Sequence, residues 1–183
     1  MKTKFLKLIA ILGVLALAGA CSSTRTQESA GEAIDDSVLT AKVKVGLIDD
    51  PVTKAGQINV ETYRGVVQLG GFVDNAQQKQ QATKVARSVT GVKEVRNDLR
   101  ISTKPHATGG QDLDDGMLTA SVESKLMADS TTKGYQINVG TQKGVVQLTG
   151  FVDSTTMKTR AGEVARSVEG VKEVRNDLEI RQK

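Results

Sequence analysis

Few residues of this chain have side chains that could do covalent, metal or acid–base chemistry. Its 183 residues include one Cys, Cys21, and one His, His106. An intrachain disulfide, a zinc cluster and a Cys–His dyad with supporting ligands are therefore excluded. His106 follows Pro105 in a segment where nothing rigid would orient it as a proton shuttle. We expect no enzymatic activity, no metal and no cofactor.

Adjacent carboxylates occur three times, and each pair lies at a predicted helix end. Capping and the helix dipole explain them better than a shared site, because neighbours in sequence do not converge like the carboxylates of a glycosidase. The pairs are Asp35-Asp36, Asp49-Asp50 and Asp114-Asp115. Gly70-Gly71 lacks the Lys-Ser/Thr of a P-loop. It predicts a bulge or a close approach of helix and sheet.

The residues before Cys21 have the pattern of a secretory signal peptide. Residues 1–20 begin with three Lys, continue with an apolar run over 8–18, and end in small residues. The run is about 11 residues long, too short to span a bilayer comfortably. Without those three Lys, 22 basic residues (25 − 3) face 21 acidic ones, so the mature charge is about +1. That balance and the absence of Trp argue against a nucleic-acid partner.

The stretch 15–21, Leu-Ala-Leu-Ala-Gly-Ala-Cys, resembles the lipobox of bacterial lipoproteins, with Ala18 where Leu is usual. The resemblance implies that the Cys21 thiol is diacylated and that the chain is cut before it. Two or three acyl chains make a stable anchor. Ser22, by resemblance to Gram-negative lipoproteins, favours the periplasmic face of the outer membrane. The small residues before Cys21 also suit the ordinary signal peptidase, which would leave a soluble periplasmic protein.

An internal repeat organises the rest of the chain. Residues 35–101 align with 114–180 without a gap, and about 41 of 67 positions are identical. We call these copies the first unit and the second unit. Residues 21–34 are polar and without apolar period, which predicts a flexible lipidated tether. Residues 102–113, with Pro and two Gly, predict a linker.

Each unit has helix and strand patterns in the order αββαβ. In the first unit a helix is predicted from Asp35 or Asp36 to Pro51, and a hairpin over 58–73. A second helix from Asp74 or Asn75 to Gly91 and a last strand over 92–101 follow. The expected fold is α+β: two tandem units, each a three-stranded sheet with both helices on one face.

Three motifs carry a family resemblance: the Gly-Val-Val-Gln-Leu-x-Gly strand, the Ala-x-x-Val-Ala helix and the closing Gly-Val-x-x-Val-x-Asn-x-Leu. They resemble the BON domain, and two copies behind a signal peptide resemble the osmotically inducible protein Y family and the dual-BON outer-membrane lipoproteins. The resemblance implies a non-enzymatic envelope protein that binds phospholipid surfaces or envelope proteins. Its implied role is outer-membrane integrity or osmotic stress tolerance. The alternative is a soluble periplasmic stress protein that binds or shields other proteins.

The first helix carries two apolar stripes. Leu39, Val43 and Leu47 fall within about 80° of one another and are assigned to the core. A second set, which we call the outer stripe, lies off that face and is flanked by Lys42 and Lys44. The outer stripe consists of Val38, Ala41, Val45 and Ile48.

Two interpretations of the outer stripe are open. It packs against the other unit or the last strand, or it is a surface for lipid or a partner, with the two Lys near headgroups. We predict that Val38, Val45 and Ile48 stay exposed within the first unit. The first unit has 10 basic and 8 acidic residues and the second has 8 and 10. Opposite charges favour docking of the units, and anionic lipid would prefer the first.

Overall fold

The computed structural model describes residues 30–53, 57–102 and 109–181. It confirms the α+β fold with two αββαβ units. The first unit has α1 Ala30–Asp49, β1 Gln57–Tyr63, β2 Val66–Val73, α2 Ala76–Ser88, β3 Glu94–Asn97 and β4 Arg100–Ile101. The second has α3 Gly109–Ala128, β5 Ile137–Gln142, β6 Val145–Val152, α4 Thr155–Arg166, β7 Glu173–Asn176 and β8 Glu179–Ile180.

Each sheet is centred on the second strand of its hairpin. In the first unit β2 pairs antiparallel with β1, and parallel with both β3 and β4 on its other edge. The last strand expected over 92–101 is therefore divided in two. The backbone N–H of Asp98 still donates to the Leu69 carbonyl over 2.8 Å, which keeps both pieces on the same edge. The sheet thus has three strand positions, as predicted.

The helices cover one face of each sheet and bury the predicted core stripe. Leu39, Val43 and Leu47 are all buried, and Val43 is fully enclosed. Asn75 caps α2 by accepting from the Gln78 N–H. Repeating this packing in the second unit gives a second core of nearly the same composition. Burial of these aliphatic side chains is the main term that stabilises each unit.

Two helices begin before the predicted positions. α1 starts at Ala30, inside the segment 21–34 interpreted as a flexible tether, because Ala and Glu favour helix. α3 starts at Gly109, inside the predicted linker 102–113. The signal peptide, Cys21 and His106 lie outside the described residues.

Asp36 is not a helix cap, contrary to the prediction, because it lies inside α1. Its buried carboxylate instead accepts hydrogen bonds from the N–H groups of Arg64 and Gly65, at 2.8 Å for Gly65. Both turn residues have positive φ, as a two-residue hairpin turn requires. Asp115 holds the turn of the second unit in the same way. The carboxylate thus ties the first helix to the β1–β2 turn.

Asp50 is likewise not explained by the helix dipole, since it follows the C-terminal end of α1, where a negative charge is unfavourable. Its Oδ1 accepts from the N–H groups of Val52 and Thr53, at 2.9 and 3.0 Å. The Gln81 amide donates to Oδ2 over 2.7 Å, and this bond first of all lowers the pKa of Asp50. Asp50 therefore shapes the turn that follows α1.

The role of Asp36 can be tested by Asp36→Ala, with Asp35→Ala as the matched control. Losing the carboxylate leaves two turn N–H groups without their acceptor, so we expect the free energy of unfolding to fall by about 1–3 kcal/mol. Asp35 is exposed, and its loss should change stability by less than about 0.5 kcal/mol. Urea denaturation measures both. Equal effects of the two substitutions would contradict the tie between helix and turn.

Candidate functional site: two exposed helix faces oriented by paired sheets

The sheet faces that carry no helices pack against each other. Contacts between the units join β1 and β2 to β5 and β6. The side chains of β2 therefore alternate between two buried environments, with Val67 and Leu69 in the helix-covered core and Gln68 and Phe72 toward the second unit. The molecule has four layers: helices, sheet, sheet and helices.

Two buried glutamines connect the sheets at the centre of this contact. Gln68 Oε1 accepts from the Gly150 N–H over 2.8 Å, and its Nε2 donates to the Asp177 carbonyl over 2.7 Å. Gln147 repeats the arrangement with the Gly71 N–H at 2.7 Å and the Asp98 carbonyl at 2.8 Å. Both glutamines are 1% exposed. The reciprocal bonds show that a pseudo-twofold axis relates the units.

The glycine pair in β2 serves this contact rather than a helix–sheet approach. Gly71 has φ +105°, and a Cβ there would lie 2.0 Å from the Gln57 carbonyl oxygen. Only glycine fits the conformation that presents this N–H to Gln147. Gly70 faces the second unit, where a Cβ would lie 2.5 Å from Thr149 Cγ2. The predicted close approach exists, but it joins two sheets.

Aromatic rings and ion pairs surround the glutamines. Tyr63 and Phe151 pack with their ring centroids 5.5 Å apart, and the Arg181 guanidinium lies 5.2 Å from the Tyr63 centroid. Arg96 pairs with Glu179 across the contact. Arg100 and Asp177 form a second pair at 3.3 Å. These residues form the rim of the contact between the sheets, where they add ion pairs and ring contacts to the uncharged glutamine network at its centre.

Sequence reasoning missed this contact, although one signal for it was present. In the strand Val-Val-Gln-Leu-x-Gly-Phe-Val, the residues between the core positions are Gln, a small residue and Phe, in both units. An aromatic ring on the face away from the helices indicates that this face is covered as well. The lone Gln within it then requires a polar partner.

The outer stripe of α1 faces away from the core of the first unit and also away from the contact between the two sheets. Val38, Val45 and Ile48 are 46%, 57% and 66% exposed. At about 100° per residue, the stripe lies roughly opposite the buried one. This confirms that the three residues stay exposed. The alternative that the stripe packs on the other unit or the last strand is wrong, because the second unit covers the opposite face of the sheet.

The two flanking Lys lie in different surroundings. Lys42 is exposed beside the stripe. Lys44 is also exposed, but it lines a groove of about 350 Å³ between the units, together with Tyr63, Phe151 and Arg181. Only Lys42 therefore belongs fully to the open face of α1. The exposed Asp35 and Asp49 lie on the same helix, so the helix itself has no net excess of positive charge.

The second unit presents a weaker counterpart on α3. Met117 and Met127 are 70% and 75% exposed, and Ala120 and Ser124 between them are exposed too. Because the sheets face each other, the helix layers form opposite outer surfaces of the molecule. The α1 and α3 stripes therefore point in roughly opposite directions.

Within the described ranges, no three His, Cys, Asp or Glu side chains are grouped so that they could hold a metal ion. In that same part of the chain, no helix is long and apolar enough to cross a membrane. What the described residues offer is binding surface: two apolar helix faces, and the groove beside Lys44.

A tandem pair of αββαβ units packed sheet against sheet defines a class of small two-domain α+β proteins. The BON domain family model matches residues 35–103 and again 114–182. The chain belongs to the BON domain family and carries two of its domains, which confirms the resemblance seen in the motifs.

Three similar proteins match most of the chain. It is 38% identical to osmotically-inducible protein Y of Escherichia coli over 167 residues, 85% of this chain and 83% of that protein. It is 37% identical to the outer membrane lipoprotein DolP of Haemophilus influenzae over 145 residues, 79% and 74% of the two chains. It is 36% identical to the 21 kDa hemolysin of Actinobacillus pleuropneumoniae over 147 residues, 80% and 74%. These relatives fit an envelope or osmotic-stress protein.

The glutamine network makes a specific prediction about stability. Gln147→Ala leaves the Gly71 N–H and the Asp98 carbonyl without their partner in a buried contact, so we expect a loss of roughly 2–4 kcal/mol in unfolding free energy. Gln68→Ala should cost about the same, because its bonds are the symmetric set. The matched control is Gln80→Ala on the exposed side of α2. Urea denaturation that gives the control and Gln147→Ala the same midpoint would rule out this role.

Proposed function

We propose that the chain is a lipid-anchored envelope protein whose first unit binds a phospholipid surface through the outer stripe of α1. The observation that carries this proposal is the stripe itself. Three aliphatic side chains are exposed on one helix face, where neither the core nor the second unit covers them. Contiguous exposed apolar surface of this kind is characteristic of interaction sites.

Burial of apolar side chains supplies the larger part of the binding free energy. Fully burying one such aliphatic side chain is worth about 1.5–3 kcal/mol, and shallow contact with the acyl boundary realises part of that. Lys42 adds roughly 1 kcal/mol near an anionic surface, less at high salt. Asp35 and Asp49 on the same helix oppose it. Anionic lipid should therefore strengthen binding only moderately.

The four-layer arrangement limits one molecule to one membrane contact. The stripes of α1 and α3 lie on opposite surfaces, so a flat bilayer under α1 cannot also reach Met117 and Met127. The second unit then faces away from the membrane. This orientation leaves its surface available to envelope proteins.

An acylated Cys21 would hold the first unit at the bilayer. Its lipobox-like surroundings support acylation, and the similar DolP is an outer membrane lipoprotein by name. α1 starts at Ala30, so few residues separate the anchor from the helix. A short connection raises the effective concentration of the outer stripe at the membrane, so even weak contact by the stripe becomes significant.

A second candidate is a soluble periplasmic stress protein that binds or shields other proteins. The residues before Cys21 favour it, since Ala18-Gly19-Ala20 suits the ordinary signal peptidase. In that case Cys21 stays free, and the outer stripe would meet protein rather than lipid.

Vesicle co-sedimentation tests the stripe directly. The mature chain with Cys21→Ser is mixed with phosphatidylethanolamine vesicles, with and without phosphatidylglycerol. We expect Val45→Ser/Ile48→Ser to weaken binding at least about tenfold, because each tenfold step corresponds to only 1.4 kcal/mol. Circular dichroism should show an unchanged fold, since both side chains are exposed.

The second unit offers the matched control, Met117→Ser/Met127→Ser. This variant should bind vesicles like the unsubstituted chain. If it loses binding while the α1 variant keeps it, the lipid surface belongs to the second unit. If neither variant changes binding, the outer stripe is not a lipid site.

Membrane fractionation tests the anchor. The wild-type protein should sediment with the outer membrane, and Cys21→Ser should release it into the soluble periplasmic fraction, because no acyl chain can then form. Mass spectrometry of the mature N-terminus provides the control, with acylated Cys21 expected as the first residue. A soluble wild-type protein with an unmodified thiol would favour the second candidate.

A further inference from the structure

We infer that the groove beside Lys44 is a binding site for a phosphate group. The groove lies between the units, is lined by Lys44, Tyr63, Phe151 and Arg181 among others, and has a volume of about 350 Å³. That volume lies at the lower end of the range for small-molecule sites, roughly 300–1,000 Å³. The inference does not depend on the outer stripe. It rests on the hydrogen-bond donors of three lining residues.

Lys44 and Arg181 bring positive charge to the groove, one from each unit. Lys44 is exposed on α1, and its ammonium group has no partner among the described residues. Arg181, which follows β8, donates to Asp153 Oδ1 over 3.3 Å. This bond uses one of its five N–H groups, and the others make no hydrogen bond within the described part of the chain. Guanidinium and ammonium groups are the side chains that bind phosphate best.

The guanidinium of Arg181 is held in place before any ligand arrives. It lies 5.2 Å from the ring centroid of Tyr63 and 5.7 Å from that of Tyr135. The Tyr135 hydroxyl also donates to Asp153 Oδ2 over 2.7 Å, which orients the carboxylate that pairs with Arg181. A side chain already fixed in this way loses less conformational entropy when a ligand binds.

The third donor is the hydroxyl of Tyr63. The ring packs against Phe151, and the residue is only 8% exposed. Buried tyrosines usually satisfy their O–H, yet this hydroxyl has no hydrogen-bond partner in the ranges that the structure describes. A phosphate oxygen in the groove would accept from it.

Two carboxylates also line the groove, and they oppose an anion to different extents. Asp36 already accepts from the N–H groups of Arg64 and Gly65 in the hairpin turn. Glu61 accepts at Oε1 from Asn138 over 3.0 Å, and a neutral amide could do the same. Removing the charge of Glu61 should therefore tighten phosphate binding without loss of this bond.

The donors are absent from the opposite end of the contact between the sheets. The positions there that align with the three donor residues are Glu123, Gln142 and Ser102. None of these is basic and none is a phenol. Neither the fold nor the contact between the sheets therefore requires the donor set, and Glu123 supplies a matched control.

Phosphate binding is tested on the mature chain with Cys21→Ser. Glycerol 1-phosphate is titrated at constant ionic strength, and amide shifts are followed by ¹H–¹⁵N NMR, with glycerol as the control for the ligand body. We expect saturable shifts at the residues that line the groove. Shifts spread evenly over the surface, or none at millimolar ligand, would overturn the inference.

Two charge substitutions should act in opposite directions. Lys44→Gln is expected to weaken glycerol phosphate at least about threefold, because an exposed cation contributes up to about 1 kcal/mol. Glu61→Gln should tighten it by a similar factor, and Glu123→Gln should leave it unchanged. A Glu61→Gln variant that binds more weakly, or the same effect from all three substitutions, would contradict a phosphate in the groove.

Tyr63→Phe removes the hydroxyl and keeps the ring contact with Phe151. We expect severalfold weaker binding of glycerol phosphate with an unchanged midpoint of urea denaturation. Unchanged affinity would show that the phenol is not part of the site.

The phosphate could belong to a lipid headgroup or to a soluble ester, and vesicles separate these sources. Tyr63→Phe leaves the charge of the protein unchanged, so weaker sedimentation with phosphatidylglycerol vesicles would assign the site to the headgroup. Normal sedimentation would assign it to a soluble phosphate ester. Val45→Ser/Ile48→Ser should bind glycerol phosphate like the unsubstituted chain, so a failure of the outer stripe as a lipid site is distinguished from a failure of the groove.

Discussion

The reciprocal bonds of Gln68 and Gln147 are the constraint on which the arrangement of this molecule depends. A buried primary amide that loses its partners costs more than the net gain of the bonds it makes, so the two faces are stable chiefly when they are together. Because the bonds run to backbone groups of the opposite sheet, they fix register as well as proximity. The units consequently behave as one body with sheets inside and helices outside.

The layer order determines what the surface can do. Each helix pair has one face committed to its own core, and the opposite face cannot be covered by the partner unit, which lies beyond the sheet. Apolar residues on that face, such as Val45 and Ile48, therefore remain available to something outside the chain. The same geometry separates the two outer faces by the full thickness of the molecule, so one flat surface cannot contact both.

Prediction from the sequence was most successful where a single helical periodicity determines which side chains are buried. The 3.6-residue period separated Leu39, Val43 and Leu47 from the outer stripe, and the separation was confirmed because both stripes lie on one regular helix. It failed where a distant partner decided. The local sequence favours Asp36 as a helix cap. Its carboxylate oxygens instead accept hydrogen bonds from the β1–β2 turn, which begins 28 positions further along the chain. Gly70 could be predicted to mark a close approach, but the partner that approaches belongs to the other unit.

The positions at which the two units differ show that the sheet faces and the outer helix faces are under different requirements. The strand motif that includes Gln68 is nearly identical in both copies, since any change there must be matched across the contact. The outer helix faces differ freely: Lys42 aligns with Ser121, Lys44 with Glu123, and Val45 with Ser124. Lys42 and Val45 lie on the open face of α1, outside the contact between the units, so substitutions at these two positions leave that contact intact. A repeated fold whose two inner faces share the glutamine network of Gln68 and Gln147 can thus give one molecule two unlike outer surfaces.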